Sequence, residues 1–256
     1  ALDNEVDSVA YTRFRLDNVW RLPVVALWGM EVGIGWDRVT YPTGTLERTS
    51  RVRGRGAIAH QRGDRTRSGW EGIFAIETAW RSSTLRPEDD PDALTSAQLA
   101  EAVTQRIFEG DASGEWMLTG TLSLFGRASF RQLTGGDPVV PLSEQFRFGG
   151  AASLRGYGED EFHGSLAAWG GLEARIGRPL GSRLYTFYDL GYFDFKTIDP
   201  LDPTGQDLLQ VQGWPRGYGL GLLARTRAGD ISLAVGFPGT VDFDQAKLHV
   251  TLLESF

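Results

Sequence analysis

Between Val24 and Trp36 the chain alternates without a break. Val24, Ala26, Trp28, Met30, Val32, Ile34 and Trp36 occupy one parity, with Gly29, Glu31, Gly33, Gly35 and Asp37 on the other. Period two over such a length is the signature of a strand longer than the usual five or six residues, and it excludes a helix there. The pattern recurs at 70–81, 118–131, 165–176, 217–225, 230–237 and 247–256, with less regular versions at 9–18, 51–62 and 183–196. The alternating positions are often charged or glycine: Glu71, Glu77 and Arg81 in one run, Arg127 and Arg131 in another, Glu173 and Arg175 in a third. The expected fold class is therefore all-β, a transmembrane antiparallel β-barrel of about ten strands (8–12), apolar outside and polar inside.

Composition supports that polarity. Hydrophobic residues make up 41% of 256 positions, yet there are 33 Gly, 8 Trp, 7 Tyr and 14 Phe, the mixture of tight turns and aromatic girdles that barrels use. No stretch approaches the roughly 18 uninterrupted apolar residues of a membrane helix, a limit that barrel strands escape. The net charge of −7 argues against a nucleic-acid partner. With no Cys there is neither a disulfide framework nor a thiolate site. The sequence begins Ala1-Leu2-Asp3 with no Met and no apolar leader, so any signal peptide has been removed or never existed.

One segment departs from period two. From Pro91 to Gly110, Thr95-Ser96-Ala97-Gln98 resembles a capping box, and Leu99, Ala100, Val103 and Ile107 follow at helical spacing. A short amphipathic helix is expected here, in a connection of about thirty residues.

The most specific text is residues 146–164, which include Gly149-Gly150 and Leu154-Arg155-Gly156-Tyr157. Gly171-Leu172-Glu173-Ala174-Arg175 and Phe187-Tyr188-Asp189-Leu190-Gly191 follow in order. Together these resemble the BamA/TamA-like superfamily of outer-membrane assembly and translocation barrels, from about residue 116 to Phe256. The resemblance implies an extracellular loop folded into the barrel. Its Arg155 would pair with Asp189 near Glu173, with Gly149, Gly150, Leu154, Gly156, Tyr157 and Gly191 in the same motif set. It also implies that the terminal Phe256 is an assembly signal.

Glu173 and Asp189 share the polar parity of neighbouring strands, as such a pair requires. Counting about five strands before the loop and five after it puts both termini and the helical connection on the periplasmic side. Two departures stand out. The family's barrels commonly have about sixteen strands, and they commonly carry client-receiving POTRA domains. The expectation here is a single outer-membrane barrel domain over 1–256 with no POTRA domain.

Catalytic sets are missing. Three His and no Cys give no metal-ligand spacing, and no G-x-S-x-G elbow occurs. Gly217-Tyr218-Gly219-Leu220-Gly221 lacks dinucleotide-binding spacing and reads as room for the tucked loop. Glu88, Asp89, Asp90 and Asp92 read as a solvated acidic loop. The sequence thus points to no enzyme, no catalytic or metal residues and no cofactor. The resemblance implies a bacterial outer-membrane barrel that assists insertion or assembly of outer-membrane components. The expected partners are membrane lipids, unfolded outer-membrane proteins or another barrel chain, including a homodimer. A passive pore or scaffold barrel is the alternative.

Overall fold

The computed structural model describes residues 12–25, 28–40, 46–64, 68–85, 103–135, 138–140, 142, 144–177, 181–199, 201, 207–226, 229–239 and 243–253. They form one large antiparallel sheet of twelve strands. Its first half contains β1 (Thr12–Val25), β2 (Trp28–Thr40), β3 (Leu46–Asp64), β4 (Ser68–Leu85), β5 (Val103–Met117) and β6 (Leu122–Thr134). A short hairpin of β7 (Phe146–Phe148) and β8 (Phe162–Gly164) lies off the sheet. The sheet resumes with β9 (Leu166–Gly177), β10 (Arg183–Ile198), β11 (Leu208–Gly213), β12 (Arg216–Thr226), β13 (Gly229–Pro238) and β14 (Lys247–Leu253). A single 3-10 turn, Phe243–Gln245, precedes β14.

β11 and β12 are one run interrupted at Trp214-Pro215. Both pair with β10 in one continuous register, from Phe193↔Gly213 through Leu190↔Arg216. Gly191 N–H donates to the Pro215 carbonyl at 2.7 Å, but proline has no N–H to return, so the ladder lapses there. Among the described residues, pairing runs from β1 at one edge to β14 at the other, and these two are not paired with each other.

The polarity of the sheet is the reverse of a soluble one. Ile34, Leu172 and Leu220 are 61%, 66% and 67% exposed, whereas Glu173 and Asp189 on the opposite face are 6% and 0% exposed. Glu31, Glu77, Gln105 and Arg183 are also buried on that inner face. Sheets built for water bury the apolar parity instead.

Three expectations are corrected. The helix over Pro91–Gly110 fails at its second half, because 103–110 begin β5 and Ile107 and Gln105 are both buried strand positions. A spacing of four residues, such as Val103 to Ile107, keeps one face in a helix and also in a strand, so it could not discriminate. Residues 91–102, with the acidic Asp92, lie outside the described residues, as do Glu88 to Asp90. The run Val24–Trp36 is divided between β1 and β2, with Val25 paired to Trp28. A two-residue connection is an even number and leaves the alternation intact across it.

The third correction concerns sides. With β5 present, six strands precede the loop. Arg81↔Val103 and Arg106↔Thr134 then place the 86–102 connection at the same end of the sheet as the loop. β1 begins at that end and β14 finishes at the other, so the two strands run in the same direction and the ends of the sheet chain do not share a side. At the loop end the connections are 41–45, 86–102, 135–165, 199–207 and 239–246, all but the first longer than any at the other end. At the other end they are short: 26–27, 65–67, 118–121, 178–182 and 227–228.

Candidate functional site

The segment between β6 and β9 folds back onto the inner face. Its path is set by glycines: Gly149, Gly150 and Gly156 have φ of 135°, 80° and 98°, a region L side chains rarely enter. Ser153 closes the first bend, its hydroxyl accepting from Gly149 N–H at 2.7 Å and donating to Gly149 O at 2.8 Å. Leu154, fully buried, packs with Phe148 and Ala167, and Tyr157, Phe162, Trp169 and Phe193 gather around them. Phe148 stacks on Trp169 at 5.4 Å, and its ring occupies the space a side chain on Gly191 would need. Tyr157 donates from its hydroxyl to Arg216 O at 3.1 Å.

Arg155 is the centre. Its Nε and Nη2 donate to Asp189 at 2.7 and 2.8 Å, a planar fork on a planar carboxylate, and its Nη1 donates to Glu173 at 2.7 Å. Its own backbone N–H adds a third bond to Asp189 at 3.1 Å. The guanidinium also lies 3.7 Å above the Phe187 ring. Burial alone would push the Arg155 pKa down, but the hydrogen bonds and charge of Asp189, and then of Glu173, hold it above the ordinary guanidinium value. The side chain is therefore charged at any physiological pH.

Neighbouring glycines make this docking sterically feasible. A Cβ on Gly217 would strike the Arg155 carbonyl oxygen, and one on Gly171 would strike the Asp189 carboxylate. Gly219 and Gly221 play a different part, leaving room for the rings of Phe187 and Tyr185. The glycine run in β12 thus serves the loop at one position and the aromatic bed of Arg155 at two.

The structure extends the set beyond the motif residues. Ion pairs link Arg183, Glu115, Arg175, Glu173, Arg155, Asp189 and Arg127 in one chain across β5, β6, β9 and β10, at 2.6, 3.4, 2.7, 2.7, 2.7 and 3.4 Å in that order. Arg127 also donates to the carbonyls of Ala152 and Ser153, so it clamps the loop backbone from the far side. Gly156 N–H donates to His249 Nε2 at 3.1 Å, tying the loop to β14. Arg127, Glu115, Arg183 and His249 escaped the sequence reading of this site. Their signal was present only as charge on the polar parity of separate strands, and strand order is needed to bring them together. Phe256 lies outside the described residues. Among the described residues no group of His, Cys, Asp and Glu could hold a metal ion.

A family model described as the Omp85 superfamily domain matches residues 6–249. No curated protein matches the chain. Solved structures that resemble it include CdiB from Acinetobacter baumannii, at 12% identity and a TM-score of 0.46, covering 95% of this chain and 50% of that one. The translocator domain of the autotransporter NalP from Neisseria meningitidis aligns at 14% identity and a TM-score of 0.35, covering 96% of this chain and 80% of that one. The beta domain of the Bordetella autotransporter Brka gives 12%, 0.31, 97% and 94% for the same quantities. The chain thus spans half the length of the CdiB chain it resembles.

Proposed function

This chain belongs to the Omp85 superfamily, and from that premise we propose that it is a bacterial outer-membrane β-barrel that assists the insertion or assembly of outer-membrane proteins. Support for the membrane setting is the reversed polarity of the sheet together with its ends: short turns on one side and mostly longer connections on the other are the habit of outer-membrane barrels. The loop end is then extracellular. Lipid offers no partners to stray backbone groups, so the sheet closes on itself or pairs with another strand there.

The observation that carries the assembly role is β1. Residues 14–20 are exposed on both faces, and among the described residues β1 pairs only with β2. An exposed edge strand is a template for an incoming strand, and here the incoming strand would belong to a client barrel. The locked loop supports β9, β10 and β12 as a fixed wall while that edge works.

The test is assisted folding. Liposomes containing the purified protein receive a small urea-unfolded outer-membrane barrel, and its folding is timed by the shift of the folded band on cold gels. Acceleration is expected. Successive N–H groups along a strand point to opposite sides. Of Asn18→Pro and Val19→Pro, therefore, one removes an edge donor and should slow assistance while leaving this protein folded. Unchanged client folding, with and without the protein, would favour the passive pore or scaffold instead.

A further inference from the structure

The loop reaches beyond its lock on β10. Gly156 lies directly on β13: a Cβ on Gly236 would strike the Gly156 nitrogen, and one on Gly156 would strike the Phe237 carbonyl. From there the Gly156 N–H donates to His249 Nε2 of β14 at 3.1 Å, and His249 is only 9% exposed. We propose that His249 couples the loop lock to the edge strand β14, and that a proton on its ring releases the coupling. This device does not depend on the assembly role.

The donor fixes the state of the ring. A backbone N–H can only donate, so Nε2 must be bare, and a neutral imidazole then carries its hydrogen on Nδ1. A protonated ring is a donor at both nitrogens. Its Nε2–H would meet the Gly156 N–H head on, leaving that buried amide without an acceptor, and its charge would oppose that of Arg155. The bond is therefore present while the ring is neutral and lost when acid charges it.

Arg155 and Glu159 face the ring from the loop, Asp189 from β10 and Lys247 from its own strand. The cavity of about 290 Å³ that His249 helps to line adds Arg127 of β6, Glu173 and Arg175 of β9, and Arg183 and Tyr185 of β10. β12 and β13 present Leu223, Ser232 and Ala234 there, none of them charged. Both signs of charge thus face the ring, and the cavity gives it room to swing away from Gly156 once the bond is lost. The effect falls on an edge. Among the described residues β14 pairs only with β13, from Gly236↔Lys247 to Asp230↔Leu253. A strand flanked on one side opens more readily than one flanked on both, so a hold from the inner face counts for more here than at β10.

The chain has no Cys, so Leu252→Cys gives a single outward-facing attachment point on β14, at a residue 71% exposed. A nitroxide label there is followed by electron paramagnetic resonance in the folded protein in detergent, from about pH 8 to about pH 4, across the ordinary histidine range. Its mobility is expected to rise in one step on acidification. In His249→Gln the side-chain amide oxygen accepts from Gly156 at every pH, so the label should stay ordered throughout. In His249→Leu no acceptor is left, and the label should be mobile throughout. His163→Gln, in the loop hairpin, should keep the wild-type step. A nitrogen-15 spectrum of histidine-labelled wild type at neutral pH should show His249 with Nε2 bare, a readout that needs no variant to fold. An unchanging label in the wild-type background, the same step in His249→Gln, its loss in His163→Gln, or an Nε2 that carries hydrogen at neutral pH would overturn the proposal.

Discussion

The β1–β2 and β9–β10 pairs follow one sequence rule and come out differently. Both are antiparallel neighbours with apolar residues turned outward. In β9–β10 the polar parity is covered: Glu173 and Asp189 are buried under Arg155, which arrives from a loop. In β1 the charged positions Arg15 and Asp17 pair at 2.6 Å, and their side chains stay 50% and 36% exposed. Alternation decides which face a residue takes. Whether that face becomes a site depends on a segment distant in sequence coming to cover it.

The contrast can be broken most strongly at Arg155. Arg155→Ala takes the central partner from two buried carboxylates, leaving Glu173 to Arg175 and Asp189 to the more distant Arg127, and the expected loss is about 3–5 kcal/mol, read as a lower urea midpoint or unfolding temperature. Arg155→Lys should recover less than half of it, since a point charge cannot form the fork. Gly217→Ala attacks the same contact from the other side, leaving the charges untouched and pushing a methyl into the loop backbone. About 1–3 kcal/mol of destabilisation is expected, with greater protease sensitivity confined to 146–164.

A gentler probe is pH. Burial, and then the charge of Arg147, hold His163 in the loop hairpin below its ordinary pKa. Its folded form favours the neutral ring, so this contribution is complete above the unfolded value of about 6.5 and is lost as pH falls through the lower folded value. A His163→Gln variant should flatten that acid limb. The smallest effect belongs to the exposed edge: Arg15→Ala should change stability by no more than about 0.5 kcal/mol, and raised salt should erase even that. A large effect at Arg15 would mean that β1 is covered by something the comparison leaves out.

Legibility followed the same divide. The period-two runs revealed the all-β class, the reversed polarity and the faces of Glu173 and Asp189, because each depends on neighbours within one strand. The turn between β1 and β2 and the identity of β5 stayed hidden, since even spacings look alike in continuous strands, hairpins and single helical turns. The ion chain could be read only at Arg155, Glu173 and Asp189, where a motif stood in for distance. Arg127, Glu115 and Arg183 belong to three strands, and their meeting depends on strand order rather than on local pattern.

The unequal lengths of the connections have an electrical counterpart. The short turns contain Arg65, Arg67, Arg178 and Arg227 and no acidic residue at all. The long connections contain Asp89, Asp92, Glu101, Asp199, Asp202, Asp207, Asp242 and Asp244 among others, so most of the net negative charge lies at that end. In sequence, then, the connections at one end of the sheet are cationic and those at the other are anionic. In the proposed membrane setting, inverting the sheet would exchange the charge presented to each side.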